Sequence, residues 1–216
     1  MEKETVMSEA KDLFTTIREE AHVEFEEKRS VFLGHALRTD SEEEAQAFVK
    51  RLKKQYADAT HNVFAYLMRG DAVARYSDDG EPQGTAGMPV LDVIRKSGVR
   101  NVTVVVTRYF GGTLLGAGGL VRAYSHAASL AIEAGGIITY EPYGEYELRC
   151  GYSEYQKYQV VLANAKAVID GTDFGADVCV RYAIKKSEGD ALAARIVEIG
   201  YGKDVPREIG VRFDYR

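Results

Sequence analysis

Two stretches of the chain concentrate side chains that can do chemistry. The first, YSDDGEPQGTAGMP at residues 76–89, holds three carboxylates, Asp78, Asp79 and Glu81. A glycine-rich turn follows and leads into an apolar helix, with Thr85 placed to cap it. Carboxylates at this spacing suit a divalent metal, or a general base beside an anion-receptive helix N-terminus. They also suit a solvated acidic turn in which Asp and Gly serve backbone geometry. The second stretch, RYFGGTLLGAGGLVRAYSHA at residues 108–127, puts Gly111, Gly112, Gly116, Gly118 and Gly119 between a buried strand and a helix. Glycine there allows positive φ and lets the backbone approach either a phosphate or another protein element. GAGGL matches neither GxGxxG nor GxxxxGK[ST], so no dinucleotide or P-loop fingerprint is met. Arg108 and Arg122 flank the loop. They would contact RNA or phosphate, or form salt bridges with the acidic turn.

Elsewhere the signals are structural. His22, His35, His61 and His126 are scattered, and no HExxH occurs. Ser125 and His126 are neighbours on one helix and point about 100° apart, so they are not a nucleophile and its base. Cys150 and Cys179 are too few for a disulfide framework or a structural zinc site and read as free thiols in strands. No metal and no cofactor is expected. Tyr152, Tyr155 and Tyr158 would either stack on bases or pack a small domain.

The elements that must position these residues follow from periodicity. After a lead-in at residues 1–12, read as frayed or weakly helical, LFTTI and HVEFEEK alternate as strands and SVFLGHALR is a more fully apolar one. Ser41 with Glu44 reads as a capping box, and Ala45, Phe48, Val49 and Leu52 form the stripe of the helix it opens. HNVFAYL is a strand. Met88, Leu91, Val93 and Ile94 give the next helix a buried side, and Gly98 stops it. VTVVVTRYF is the clearest strand, central in a sheet by its continuous β-branched run. Gly135 and Gly136 end the helix after the glycine loop. The remainder reads β-α-β-β-α-β, the order of a ferredoxin-like domain. A boundary near Pro142 gives domains 1–142 and 143–216.

Composition bounds the function. The chain has 216 residues, 45% of them hydrophobic and 28% charged, which is enough apolar material for one or two packed domains. No apolar run approaches the roughly 20 residues of a membrane helix. The start, MEKETVMSEAKDLF, lacks a signal-peptide core, so the protein reads as cytoplasmic with no membrane partner. A net charge of -5 argues against non-specific nucleic-acid binding and leaves room for a local basic patch.

YSDDGEPQGTAGMPVLDVI and VTRYFGGTLLGAGGLVRAYSHA resemble the two signature stretches of the IMPACT family, in its bacterial YigZ-like branch. HNVFAYL, opened by His61, and KRSVFLGHA also fit, so the resemblance covers about residues 13 to 140. It implies an α+β fold whose N-terminal domain is like domain IV of elongation factor G. It also implies that the C-terminal domain is like that factor's ferredoxin-like domain V. His61 thereby joins the candidate site. The leading expectation is a non-enzymatic, translation-associated regulatory protein that binds RNA or the ribosome. Two alternatives stand beside it. One is a protein–protein adaptor to a partner in the translation machinery, acting in translational or stress control. The other is an enzyme on a nucleotide or phosphorylated small molecule, with the three carboxylates on a metal and the loop amides on phosphate.

Overall fold

A computed structural model of the chain describes residues 13–71 and 73–215, so the lead-in at 1–12 lies outside the described residues. Phe14–Thr139 forms one compact unit, and the chain from Tyr140 onward belongs to a second.

The first unit is built on a five-stranded sheet ordered β2-β3-β6-β4-β5, comprising β2 (Ala21–Glu27), β3 (Ser30–Arg38), β4 (His61–Leu67), β5 (Ala74–Ser77) and β6 (Val102–Tyr109). A short β1 (Phe14–Ile17) precedes it. β6 is central, antiparallel to β3 on one side and to β4 on the other. Its two faces meet different helices, which is why its sequence is apolar without alternation. Val102, Val104 and Val106 pack with α2 (Gly87–Ser97) and α3 (Ala117–Ala134). Val105 packs with Phe48, Val49 and Leu52 of α1 (Glu42–Gln55) on the opposite face. The threonines between them hydrogen-bond inside: Thr103 to Thr39 at 2.8 Å and Thr107 to Asn62 at 2.7 Å.

The helix ends follow local rules with one correction. Ser41 Oγ accepts from the Glu44 amide, and the Glu44 carboxylate returns to the amide of Asp40 rather than of Ser41. Gly98 closes α2 in the left-handed region at φ 75. Thr85 does not cap α2, because its hydroxyl donates to the Pro82 carbonyl oxygen. Asp78 takes that role from the preceding turn, its Oδ1 accepting from Ala86 N and Gly87 N.

The second unit follows the order β7 (Ile137–Cys150), α4 (Tyr152–Asn164), β8 (Val168–Phe174), β9 (Val178–Lys185), α5 (Lys186–Ile199), β10 (Arg207–Asp214). β7 runs unbroken through Pro142. The strands are arranged β10-β7-β9-β8, each pair antiparallel, with Leu148, Val180 and Tyr182 packed against Tyr158, Leu192 and Ile196 of the two helices. Tyr158 is fully buried, with its hydroxyl on Asp204 at 2.8 Å, so it belongs to packing and not to a base platform. Burial pushes the Cys150 thiol up to about 11, away from nucleophilic use.

One buried histidine makes this fold sensitive to acid. His35 on β3 is 2% exposed and shares an Nδ1–Nδ1 hydrogen bond of 2.6 Å with His22, leaving its Nε2 without a partner. Burial first, then the charges of His22 and Arg51, lower its pKa to about 4. The unfolded chain takes up that proton near pH 6.5, and the folded chain does not. Stability therefore falls as pH drops from about 6.5 toward 4, by up to about 3 kcal/mol. Denaturant titrations should show this slope flattened between pH 6.5 and 5 in His35→Gln; an unchanged slope assigns the acid sensitivity to other groups.

Candidate functional site

The two chemistry-bearing stretches meet at one end of the first unit, and the residue that joins them is Glu81. Its side chain is 4% exposed. Glu81 Oε1 accepts from Arg108 Nη1 at 2.6 Å and from the Tyr124 hydroxyl at 2.8 Å. Arg108 sits at the end of β6, in register with Phe32 of β3 and His61 of β4. Its guanidinium lies 5.5 Å from the Phe32 ring centroid and 5.4 Å from that of Phe110, and its Nη2 donates to Ser30 Oγ. A charge so enclosed is stable only with a partner, and Glu81 supplies it. Burial, and then the neighbouring Glu81 charge, push the Tyr124 hydroxyl far above the usual tyrosine range, so it remains a donor.

The other two carboxylates are committed elsewhere. Asp78 caps α2 and also accepts from Gly84 N at 2.9 Å. Asp79 takes the Lys53 ammonium at 2.5 Å and the Asn62 amide at 2.6 Å. It holds the left-handed region at φ 46, and its carbonyl oxygen accepts from His61 Nδ1 at 2.8 Å. Asp78, Asp79 and Glu81 therefore serve three separate sets of donors. Among the described residues no group of three or more His, Cys, Asp or Glu is placed to hold a metal ion.

The glycine loop is partly packing and partly opening. Gly111 lies so close to the β2–β3 hairpin that a Cβ there would stand 1.9 Å from the Arg29 carbonyl oxygen. Gly112 and Gly116 take φ 79 and 71, conformations that glycine adopts without strain. Gly116 is the N-cap of α3, whose first turn has no side-chain cap and no acidic residue. Gly116 and Gly118 are exposed and Gly119 is half-buried. Beside this opening lies a cleft of about 430 Å³, lined by His61, Glu81, Arg108, Phe110, Leu114 and Ala117 among others. Arg122 points elsewhere. It is exposed on α3 and lines a second hollow with Lys28 and His126. The expected salt bridge to the acidic turn thus exists for Arg108 and not for Arg122.

Comparison with known proteins fits this layout. Residues 28–132 match the Impact N-terminal domain, and residues 148–203 match a domain of unknown function, DUF1949. The chain is 33% identical over 196 residues to the IMPACT family member YvyE of Bacillus subtilis, covering 90% of each chain. The chain belongs to the IMPACT family. It is 34% identical over 178 residues to the family member YigZ of Escherichia coli, covering 81% of this chain and 87% of that one. A crystal structure described only as that of a hypothetical protein aligns at TM-score 0.57 and 31% identity, over 92% of this chain and 98% of the other. It fits a two-domain α+β fold.

In this IMPACT-family chain the matched N-terminal domain contains the whole cleft, Glu81 and Arg108 included. Sequence reasoning missed Tyr124, Ser30 and Lys53 as partners of the two stretches. For Tyr124 a signal existed: it falls on the inward stripe with Leu120, Ala123 and Ala127. Glu81→Leu and Arg108→Met should each cost about 3–5 kcal/mol in denaturant unfolding, because each strands a buried charge. The double variant should cost at least about 2 kcal/mol less than their sum; strict additivity would contradict the pairing.

Proposed function

We propose that this protein binds RNA, as part of the ribosome, through the α3 N-terminal end of its first unit, and that it acts by binding in translational control. The observation that carries the reading is the grouping of surface chemistry at that end. Lys28 and Arg29 are exposed at the β2–β3 turn, which the Gly111 approach ties to the glycine loop. Arg122 and His126 are exposed on α3, and Lys28, Arg122 and His126 line one hollow of about 330 Å³ together with Glu27. Phe110 and Leu114 are 46% and 82% exposed beside them. Cations for phosphate, an open helix N-terminus and exposed apolar side chains for bases make up a single-stranded RNA surface. A local patch of this kind is compatible with a net charge of -5.

Of the two readings the sequence left open for Arg108, a phosphate contact or a salt bridge with the acidic turn, the salt bridge is the one it makes. Arg108 is 5% exposed and neutralised by Glu81, so it holds the site's shape. The likeness to domains IV and V of elongation factor G belongs to the same proposal. The β-α-β-β-α-β order and the β10-β7-β9-β8 arrangement support a ferredoxin-like second domain.

Co-sedimentation with purified ribosomes at physiological salt tests the reading. The wild-type chain should pellet with ribosomes, and Lys28→Glu with Arg122→Glu should not. On single-stranded RNA, losing two phosphate contacts should lower the slope of log affinity against log salt by about 1.4. Equal pelleting of the two proteins would remove this surface from the account.

A further inference from the structure

We propose that the cleft beside the α3 N-terminus seats one ribonucleotide, its ribose hydroxyls on Glu81 and His61 and its phosphate on the first-turn amides of α3. This deepens the RNA reading and rests on it.

One carboxylate oxygen decides what the cleft can take. Glu81 is buried, and its Oε1 is occupied by Arg108 and Tyr124. Its Oε2 takes no donor from the described residues. Nor is it among the buried atoms sealed without a partner, which are His35 Nε2 and Arg108 Nε. Since Glu81 lines the cleft, Oε2 opens into it. His61 supplies a second acceptor. Nδ1 donates to the Asp79 carbonyl oxygen, which leaves Nε2, 3.8 Å from Glu81 Oε1, to accept from a ligand hydroxyl. The cleft thus offers two neighbouring acceptors.

The charge state of the wall selects what they accept. Arg108 already compensates Glu81, so a second full cation has no counter-charge to meet. Neutral donors fit, and a ribose whose 2′- and 3′-hydroxyls are both free, as at the 3′ end of an RNA strand, carries two vicinal ones. The same cleft reaches Gly116 and Ala117 at the start of α3, where amides lack a side-chain cap and the helix dipole favours an anion. Phe110, Leu114 and Leu120 give it apolar walls for a base. A sugar alone would leave the amide end unused, and a phosphate alone would leave the acceptors unused. A ribonucleotide uses both. At about 430 Å³ the cleft lies within the common range for small ligands, roughly 300–1,000 Å³.

The test changes the ligand and leaves the protein intact. The wild-type full chain is titrated with adenosine 5′-monophosphate, its 2′-deoxy counterpart and inorganic phosphate. Backbone amide shifts of residues 116–120, the methyl shifts of Leu114 and Leu120 and the His61 ring are followed by NMR. The ribonucleotide should move all three sets, and the deoxy form should bind about tenfold more weakly for one lost hydrogen bond. Phosphate should move the amides alone. Equal affinity for the two nucleotides, or no shift with either, overturns the proposal. RNA retention through Lys28 and Arg122 is measured on the same sample. Retention without ribose selectivity overturns the nucleotide seat and spares the RNA reading. Selective nucleotide binding without retention does the reverse.

Discussion

The buried pair of Glu81 and Arg108 is the constraint on which the first unit's functional end depends. Arg108 closes the central strand, and Glu81 lies in the turn that leads into α2. Their contact at 2.6 Å ties strand end, acidic turn and α3, the last through the Tyr124 hydroxyl. A buried ion pair is weak evidence for stability in itself, because desolvation opposes the attraction. Its value here is geometric. Removing either partner leaves a charge between Phe32 and Phe110, or beneath Tyr124, without its counter-ion. The turn can therefore adopt one arrangement only, and the free oxygen of Glu81 is held facing the cleft.

That arrangement divides labour among residues of similar type. Of three neighbouring carboxylates, Asp78 replaces a missing helix cap, Asp79 ties the turn to α1 and the start of β4, and Glu81 reaches the end of β6. The arginines divide similarly. Arg108 is internal, whereas Arg122 is free to meet a partner at the surface. The glycines split between close packing at Gly111 and the open N-terminus at Gly116. Much of the signature sequence thus builds the end of the unit, and a smaller part is presented to what binds there.

The strands and helices were legible because their signals are local. Ser41 with Glu44, Gly98, and the unbroken Val and Thr run of β6 each act within a few residues. Candidate residues were legible as two clusters, and the structure brings those clusters together. Which carboxylate meets Arg108 was not legible, since a turn's side-chain directions are set by the tertiary frame around it. The misassigned cap shows the same limit. Thr85 stands one residue before the N-cap position, which Ala86 holds; the Pro82 carbonyl oxygen takes the Thr85 hydroxyl and Asp78 reaches over from the preceding turn. Lys53 comes from a helix remote in sequence, so spacing within either motif carries no trace of it, whereas Tyr124 lies inside the second stretch and shows there only as part of the inward stripe.

Whether the α3 N-terminal end faces RNA can be read directly. Site-specific photo-crosslinking tests it most directly, with the crosslinker at Leu114, which is 82% exposed and can be replaced without disturbing packing. A second probe at Lys50, exposed on α1, serves as the control. Irradiated with ribosomes, the Leu114 probe should give crosslinks to ribosomal RNA that the Lys50 probe does not. Crosslinks from Leu114 to protein alone, or equal labelling of RNA from both positions, would contradict it.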